Sequence, residues 1–441
     1  MVRMLPSIRK DKSEKSQVPP KGEYMLIQKI RVTNFKTFRG MEITLDGLSV
    51  IIGTNAAGKS NFIGILRFIR DIAENGLENA IALQGGREFI QNIHVTVPAP
   101  LSMEFQIDFG QEPVTLTFCE DRSQTIEATV RSCTYRVSLS FDERRPAISE
   151  EEIRAAAEFL SCSPDHTGCS LGKGTIMLRR NLDGTPHTEI SPASIQSKIQ
   201  FGTVIPRPLP PHHAILEQPV FFPPLSPLTF QVAHLFRSIS IFDLDPALAK
   251  RASMVTGMSS LSADGGNLPI TLKHILEDPA AKRRMLLLLA ELLPFVEDIS
   301  VEYLGDRSLV TSMRETYAPQ VSLPAPFLSD GTIQMIAIIV ALYFEERSPL
   351  IFEEPGRNIH PYLISKVIDM MKDVAGKGLR QIILTTHNPE IVKYAGVEHI
   401  ILLRRDEEGY SLLSRPQEHH EIRAFLETMG IEELYTQNLL S

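Results

Sequence analysis

The stretch Leu48-Ser-Val-Ile-Ile52-Gly53-Thr-Asn-Ala-Ala-Gly58-Lys59-Ser60 decides the fold of this 441-residue chain. It opens with a continuous apolar run, which is typical of a strand buried on both faces. The spacing G-x-x-x-x-G-K-[ST] follows, and apolar residues then recur along one face of a helix. A glycine-rich turn between such a strand and helix points backbone N–H groups at phosphate oxygens. The sequence therefore predicts a phosphate-binding loop in an α/β fold.

Each residue of this loop has an expected task. Two glycines let the backbone curl around the phosphates, Lys59 reaches the β and γ phosphates of ATP, and the Ser60 hydroxyl binds Mg²⁺. ATP and Mg²⁺ are thus the expected cofactors. We assign nucleotide binding to Gly53, Thr54, Asn55, Ala56, Ala57, Gly58, Lys59, Ser60 and Asn61.

A second apolar run ends in two carboxylates, Glu353 and Glu354. Open α/β sheets bind ligands at the carboxyl ends of their strands, so both side chains are expected beside the loop. Glu353 is predicted to hold Mg²⁺ directly or through water, and Glu354 to polarise the attacking water. The alternative is an exposed acidic pair that merely ends a strand.

Two further segments carry candidate site residues. The buried run Gln381–Thr386 ends at His387, which is predicted to sense the γ-phosphate, although a lone histidine is more often structural. Ser329 lies ahead of a nearly all-apolar helix predicted over Ile333–Phe344. Ser329 is suited to cap that helix, and the functional alternative is that its hydroxyl and the Gly331 backbone bind a γ-phosphate.

In chain order, the segments GTNAAGKSN, LSDGT, LIFEEP, NIHP and TTHNPE resemble the Walker A, signature, Walker B, D-loop and switch-histidine motifs of ABC ATPases. The forms LSDGT and EEPxxxIHP, together with Asp264-Gly-Gly-Asn267-Leu268, are similar to those of the RecF/SMC/OLD-like AAA ATPases of prokaryotes. The resemblance covers residues 25–80 and 235–405. Glu353 replaces the usual aspartate, whose side chain is one methylene shorter, and no glutamine is assigned to the Q-loop.

This resemblance implies an ABC-type P-loop NTPase head, in which helices flank a mixed central sheet, with a β-rich and helical insertion. It also implies a head-to-tail homodimer with ATP between the subunits, and it leaves open whether the assembly is larger. The signature of one subunit would close the nucleotide site of the other, and hydrolysis would open the dimer. Those signature residues are Leu328, Ser329, Asp330, Gly331 and Thr332.

We expect five regions along the chain. They are a disordered tail at 1–24, the first half of the ATPase core at 25–100, a β-rich insertion with a proline-rich connector at 101–230, a helical lobe with the second half of the core at 231–405, and a helical tail at 406–441. Within the insertion we predict a meander over 102–142, a helix over Ser149–Leu160, and a hairpin around Asp183-Gly184.

Composition limits the class of protein. The net charge of −8 argues against a uniformly basic nucleic-acid binder, although a local basic stripe stays open. No run approaches the length of apolar helix that a bilayer requires, and four cysteines favour a reducing cytoplasm over a disulfide scaffold. Cys162, His166 and Cys169 invite a zinc site, but a fourth ligand is missing and free thiols are favoured.

The segments around the core narrow the choice of function. The insertion has no coiled-coil heptads, and the 54 residues after His387 are fewer than a TOPRIM nuclease domain needs. Glu418, His419, His420 and Glu421 are interpreted as a solvated helix start and not as a metal site. We therefore expect a stand-alone ATPase that controls a separate effector, such as a nuclease in anti-phage defence. The alternatives are a RecF-like repair ATPase that binds DNA directly and the nucleotide-binding subunit of a transporter, which LSDGT and the β-rich insertion disfavour.

Overall fold

The computed structural model describes residues 24–92, 99–119, 125–141, 146–162, 168–181, 183–199, 208–218, 223–255, 257, 260–418 and 430–437. The expectations of a tail at 1–24, of a zinc ligand at His166 and of a helix start at 419–421 therefore lie outside these ranges, apart from Tyr24.

The strands and helices of the described ranges are numbered as two sets, each in chain order. The strands are β1 (Leu26–Phe35), β2 (Phe38–Thr44), β3 (Leu48–Ile52), β4 (Leu101–Asp108), β5 (Val114–Cys119), β6 (Thr125–Phe141), β7 (Pro146–Cys162), β8 (Gly168–Arg180), β9 (Pro186–Ser191), β10 (Ser240–Phe242), β11 (Val296–Tyr303), β12 (Leu309–Glu315), β13 (Ser322–Pro324), β14 (Leu350–Glu353), β15 (Ile382–Thr386), β16 (Ile400–Arg405) and β17 (Ser411–Ser414). The helices are α1 (Lys59–Asn75), α2 (Leu77–Leu83), α3 (Ala193–Gln196), α4 (Ser226–Arg237), α5 (Pro246–Ala249), α6 (Leu268–Glu277), α7 (Pro279–Leu292), α8 (Asp330–Tyr343), α9 (Pro361–Gly376), α10 (Pro389–Ala395) and α11 (Ile431–Thr436).

The central sheet has the strand order β10-β14-β15-β3-β16-β17. Its first five strands are parallel, and β17 closes the edge as an antiparallel partner of β16. The apolar run that precedes the phosphate-binding loop is therefore an inner strand, between the strands that lead to His387 and to Arg405. This mixed sheet confirms the predicted fold class. Strand β17 lies inside the range for which a helical tail was expected.

Both faces of the central sheet are buried, as the continuous apolar runs predict. Alternate residues of each strand enter two different cores: Ile51 packs with the first, whereas Val50 and Ile52 pack with the second. The first core also holds α1 and the large antiparallel sheet. The second holds α6 to α10 and the small sheet β11-β12-β13.

The strands between the two halves of the core form one antiparallel sheet. Its order is β2-β1-β4-β6-β7-β8-β9, and β5 pairs with β6. Because β1 and β2 belong to it, this sheet crosses the boundary expected at residues 100 and 101. The antiparallel strands predicted over 102–142 are present, but they do not form a meander, because β4 and β5 each pair with a different part of the long strand β6 and not with each other. The hairpin around Asp183-Gly184 is present.

The helix predicted over Ser149–Leu160 is wrong, because these residues lie inside strand β7. The acidic residues after Ser149 suggested a helical first turn. The buried residues instead alternate with period two, and this buries one side of the strand against the core. The buried positions are Glu151, Ile153, Ala155, Ala157 and Phe159.

A buried carboxylate, Glu151, joins this sheet to the proline-rich connector. It accepts hydrogen bonds from the Tyr135 hydroxyl at 2.8 Å and from the Ile215 N–H at 2.8 Å. Burial raises the pKa of Glu151 to about 7, the nearby charge of Glu217 adds to this, and the two hydrogen bonds and the charge of Arg180 oppose it in part.

The connector is in turn fixed to the end of α1. The Arg237 guanidinium donates to the Ala73 carbonyl at 2.7 Å and to the Leu216 carbonyl at 2.9 Å, and Glu217 accepts from the Leu77 N–H at 3.3 Å. The helix that begins at the phosphate-binding loop therefore ends on the connector. Within the described ranges, none of the helices has the length and apolar character that spanning a membrane would need.

Glu151 should make the stability of the fold depend on pH. Its folded pKa of about 7 lies above the ordinary value of 4.5, so the protonated side chain stabilises the fold fully below pH 4.5, and this contribution is lost as the pH rises through 7. The free energy of unfolding of the wild type should therefore fall by about 2–3 kcal/mol relative to Glu151→Gln between pH 5 and 8.5. Denaturant titrations of both proteins measure this difference.

Glu158→Gln is the matched control, because Glu158 lies on the same strand and is exposed. It should follow the wild type at every pH. Parallel pH profiles for the wild type and Glu151→Gln would show that the buried carboxylate titrates normally.

Candidate active site

Both glycines of the phosphate-binding loop occupy positions that no side chain can share. A Cβ on Gly53 would lie 2.3 Å from the Leu403 carbonyl oxygen, which belongs to the neighbouring strand β16. Gly58 has a φ of +116°, and a Cβ there would lie 2.4 Å from the Ser411 hydroxyl. The first glycine is required by close backbone approach, and the second also by its conformation.

The loop is held from below by polar side chains of β17 and of the β1–β2 turn. Ser411 Oγ donates to the Ala57 carbonyl at 2.7 Å and is also 2.7 Å from Thr37 Oγ1. Asn61 Nδ2 donates to Thr37 Oγ1 at 2.9 Å. Asn61, expected as a nucleotide ligand, thus also fixes the start of α1. Thr37 and Ser411 were missed, because they are distant in sequence and fit no local pattern.

Lys59 points back into its own loop. Its Nζ donates to the Gly53 carbonyl at 2.8 Å and to the Thr54 carbonyl at 3.3 Å. Burial lowers the pKa of Lys59, and the nearby carboxylates of Glu354 and Glu353 oppose this in part. A phosphate at the loop would favour the charged form, so Lys59 is suited to bind an anion there.

The two residues predicted to hold Mg²⁺ are in contact. Ser60 Oγ donates to Glu353 Oε1 at 2.7 Å, across the gap between α1 and the end of β14. Mg²⁺ prefers a few protein oxygens completed by phosphate and water oxygens, so this pair fits the ion. Within the described residues, no group of three or more His, Cys, Asp or Glu side chains could hold a metal without such help.

Glu354 is nearly buried and is held by the end of β15. It accepts from His387 Nδ1 at 2.6 Å, from the His387 backbone N–H at 3.2 Å and from Thr386 Oγ1 at 3.3 Å. Its φ of +48° is in the left-handed region, where non-glycine residues are uncommon and strain is stored at functional sites. An ionised carboxylate only accepts, so the proton is on Nδ1 in this contact and Nε2 is left for another partner. The sequence predicted both residues but not that they touch.

These residues surround one cleft of about 350 Å³. Two arginines that the sequence analysis missed also line it: Arg357 on the turn after β14, and Arg405 at the end of β16. Arg405 Nε donates to the Ala56 carbonyl at 3.0 Å. The lining consists of Asn55, Ala56, Gly58, Lys59, Ser60, Asn61, Glu353, Glu354, Arg357, Thr385, His387 and Arg405.

The signature lies elsewhere in the chain. Ser329 caps α8, where its Oγ accepts from the Thr332 N–H at 3.1 Å. Ser329 and Asp330 are exposed, and Asp330 forms an ion pair with Lys250. None of the described residues that line the cleft belongs to the signature, from Leu328 to Thr332. Most of the predicted site residues therefore line one cleft. Gly53, Thr54 and Ala57 belong to the loop but not to this lining, and the signature residues lie outside the cleft.

The remaining candidate sites have structural explanations or lie partly outside the described residues. Asn267 Oδ1 accepts from the Ser262 N–H at 2.7 Å, so the segment around Asp264 orders the turn before α6. Cys162 pairs with Gly168 and Cys169 with Ser161 across β7 and β8, so the two thiols lie on opposite faces of the hairpin. Such an arrangement does not favour zinc.

Two stretches of the chain match known families. Residues 25–144 match the family described as "AAA ATPase domain". Residues 260–393 match the family described as "AAA domain, putative AbiEii toxin, Type IV TA system". The first stretch holds the phosphate-binding loop, and the second holds the signature, the acidic strand and His387. No curated protein matches the sequence of the chain.

Solved structures of SMC heads are distantly similar. An SMC head bound to the C-winged helix domain of ScpA is 12% identical and has a TM-score of 0.42, over 88% of this chain and 97% of that one. The SMC head domain from Thermotoga maritima is 11% identical with a TM-score of 0.38, over 88% and 98%. An Smc head with an extended coiled coil bound to the C-terminal domain of ScpA, derived from Pyrococcus furiosus, is 10% identical with a TM-score of 0.46, over 92% and 100%.

A phosphate-binding loop, a strand that ends in two carboxylates and a histidine in contact with the second of them define a P-loop ATPase. The loop lies in the first matched stretch, and the acidic strand and the histidine lie in the second. The protein is a P-loop ATPase that carries AAA-type ATPase segments over these two stretches.

Gly53→Ala should damage the loop more than its size suggests. The new methyl group would meet a backbone oxygen at 2.3 Å, which cannot rotate away, so the loop and β16 must separate. We expect the melting temperature to fall by several degrees, because overpacking costs about 1–3 kcal/mol, and nucleotide binding to be lost. Thermal unfolding and nucleotide titration measure these effects.

Gly40→Ala is the matched control, because Gly40 lies in β2 and nothing is within 4 Å of a Cβ built there. This variant should unfold and bind nucleotide like the wild type. Equal behaviour of the two alanine variants would show that the contact with Leu403 does not constrain the loop.

Proposed function

We propose that this ATPase hydrolyses Mg²⁺-ATP in a head-to-tail homodimer and that closing and opening of the dimer controls a separate effector in the cytoplasm. One observation carries the proposal: the cleft holds the loop, the carboxylates and the histidine, whereas the exposed signature lies outside it. A second copy of the chain related by two-fold symmetry would supply the missing signature to each cleft.

The cleft residues divide the work on ATP. Lys59 and the backbone N–H groups of the loop hold the phosphates. Ser60 and Glu353 would hold Mg²⁺, which neutralises charge on the phosphate oxygens when bound. The side chain of Glu353 is long enough for a water to stand between its carboxylate and the ion.

Glu354 is the proposed general base. Its carboxylate takes the proton of the attacking water, and the bonds from Thr386 and His387 fix its orientation. Nδ1 of His387 faces Glu354, so Nε2 is left free of that contact, and a ring that carries both protons would donate from Nε2 to the γ-phosphate. The histidine would therefore link the presence of the γ-phosphate to the position of the base.

The signature would act on the nucleotide of the other subunit. The start of α8 offers the positive end of a helix dipole together with the Ser329 hydroxyl. Asp330 brings a negative charge that would repel phosphate, and its ion pair with Lys250 offsets that charge. The exposed Phe327, just before the signature, would be covered when the subunits close.

A separate effector is supported by two facts. The family that matches residues 260–393 is described as "AAA domain, putative AbiEii toxin, Type IV TA system", and this description favours a role in a toxin–antitoxin or defence system over transport. The net charge of −8 favours a protein partner over unassisted binding to DNA. We propose a nuclease of an anti-phage defence system as this effector.

Mixed dimers test the composite site. Lys59→Ala should lose nucleotide binding, and Ser329→Asp should place a negative charge against phosphate while it keeps a good helix cap. Each variant alone should be inactive. A mixture should recover up to roughly a quarter of the wild-type ATPase rate, because half the dimers are mixed and each has one intact site of two. No recovery in a mixture whose heterodimers are detected by mass would contradict the proposal.

Glu354→Gln completes this test, because it should bind ATP, fail to hydrolyse it and accumulate as a dimer. Size-exclusion chromatography with ATP measures the accumulation. Lys377→Ala, at the exposed residue that directly follows α9, is the control and should hydrolyse ATP like the wild type. Hydrolysis by Glu354→Gln at the wild-type rate would show that another group is the base.

The effector is sought by co-purification. Glu354→Gln expressed with its neighbouring genes should retain the product of one of them in the presence of ATP, and Lys59→Ala should not. ATPase activity that rises with added DNA and needs no second protein would instead support a RecF-like clamp on DNA.

A further inference from the structure

The turn that follows the acidic strand carries an arginine, Arg357, with no assigned task. It lines the same cleft as Lys59 and Glu354, three positions after the proposed base. In the reaction of an NTPase, the γ-phosphate and the attacking water lie beside the base. Arg357 shares its turn with the proposed base, so its backbone is close to the expected position of the γ-phosphate.

The other two cations of the cleft are engaged at the loop itself. Lys59 donates to the Gly53 and Thr54 carbonyls, and Arg405 donates to the Ala56 carbonyl. Both are thus placed beside the phosphates that the loop encloses. Among the cleft residues that the structure describes, Arg357 is the one cation whose backbone belongs to the segment of the base.

The backbone of this turn is tightly fixed. Glu354 and Asn358 both have positive φ values, +48° and +60°. A Cβ on Gly356 would lie 2.9 Å from Ile391, and the Asn358 carbonyl is 2.9 Å from the Cβ position of Gly331 in the signature helix. The turn is therefore held between α10 and α8, and the side chain of Arg357 is the part free to move.

The present partner of Arg357 is weak. Its guanidinium is 3.4 Å from Asp243 Oδ1, and the side chains of both residues are more than half exposed, at 55% and 52%. Exposed ion pairs at such distances contribute little. Asp243 follows β10, which pairs in parallel with β14, so it stands beside the end of the acidic strand. A γ-phosphate offers a stronger partner with oxygens that match the planar guanidinium.

We propose that Arg357 leaves Asp243 and binds the γ-phosphate of the ATP in its own cleft, so that the protein distinguishes ATP from ADP before hydrolysis. The inference rests on the proposed function, because it takes ATP to lie with its γ-phosphate beside Glu354. It assigns to Asp243 the role of a resting partner that holds the arginine aside when the γ-phosphate is missing.

The test compares the dissociation constants of a non-hydrolysable ATP analogue and of ADP, each with Mg²⁺. For Arg357→Ala, affinity for the analogue should fall about 10- to 100-fold, the size expected for a hydrogen bond to a charged group, with ADP affinity unchanged. Arg357→Lys should fall between this variant and the wild type. Asp243→Asn should bind the analogue a few-fold more tightly and ADP as before.

Arg405→Ala is the matched control, since it removes a guanidinium from the same cleft at the loop end. It should weaken both nucleotides by the same factor and leave their ratio unchanged. Equal loss of both nucleotides in Arg357→Ala, or no loss of either, would overturn the assignment. If Asp243→Asn weakens the analogue as Arg357→Ala does, Asp243 positions the arginine and does not release it.

Failure of this inference differs from failure of the proposed function. If ATP is not the ligand of this cleft, the wild type will not bind the analogue and Lys59→Ala will change nothing. If only the inference fails, the wild type will bind the analogue and Lys59→Ala will not, and Arg357→Ala will change the affinities for the analogue and for ADP by the same factor.

Discussion

The active site depends on the absence of two side chains. Gly53 and Gly58 lie where a Cβ would meet the Leu403 carbonyl and the Ser411 hydroxyl. Both of these neighbours come from late in the sequence. Leu403 lies on β16, which pairs with β3, and Ser411 lies on β17, which pairs with β16. The curl of the phosphate-binding loop is therefore set by its own glycines and equally by strands that are synthesised some 350 residues later. The loop cannot take its shape until both halves of the chain have met.

A second constraint joins the acidic strand to its neighbour. Glu354 adopts a left-handed backbone, and its carboxylate is held by the first residues after β15. The base and the histidine thus follow different strands but share two hydrogen bonds, and neither can shift without the other. Electrostatic catalysis benefits from groups that are fixed before the substrate arrives. The strained backbone at Glu354 is consistent with a site whose geometry is maintained by its surroundings.

The sequence predicted the parts of the site that carry a local pattern. The loop, the paired carboxylates and His387 each end or follow a short apolar run, and the topology of a parallel sheet brings such ends together. Thr37, Ser411 and Arg405 were not predictable, because they act through contacts between residues more than 300 positions apart. The place of Arg357 in the cleft was predictable, since it lies only three residues after Glu354. The error at Ser149–Leu160 arose because acidic and alanine residues favour helices locally, whereas burial of alternate side chains decided for a strand.

The large antiparallel sheet has a consequence for how this ATPase could be reduced or rebuilt. Its strands share one apolar core with α1, and β1 and β2 enter it from the part of the chain ahead of the loop. Arg237, at the end of α4, bridges the last turn of α1 and the connector, and Glu217 of the connector accepts from the first residue of α2. A version shortened to the two motif-bearing halves would expose the apolar face of α1 to solvent. Insertions and deletions would therefore be tolerated best in the loops at the strand ends, because the inserted strands themselves cover α1.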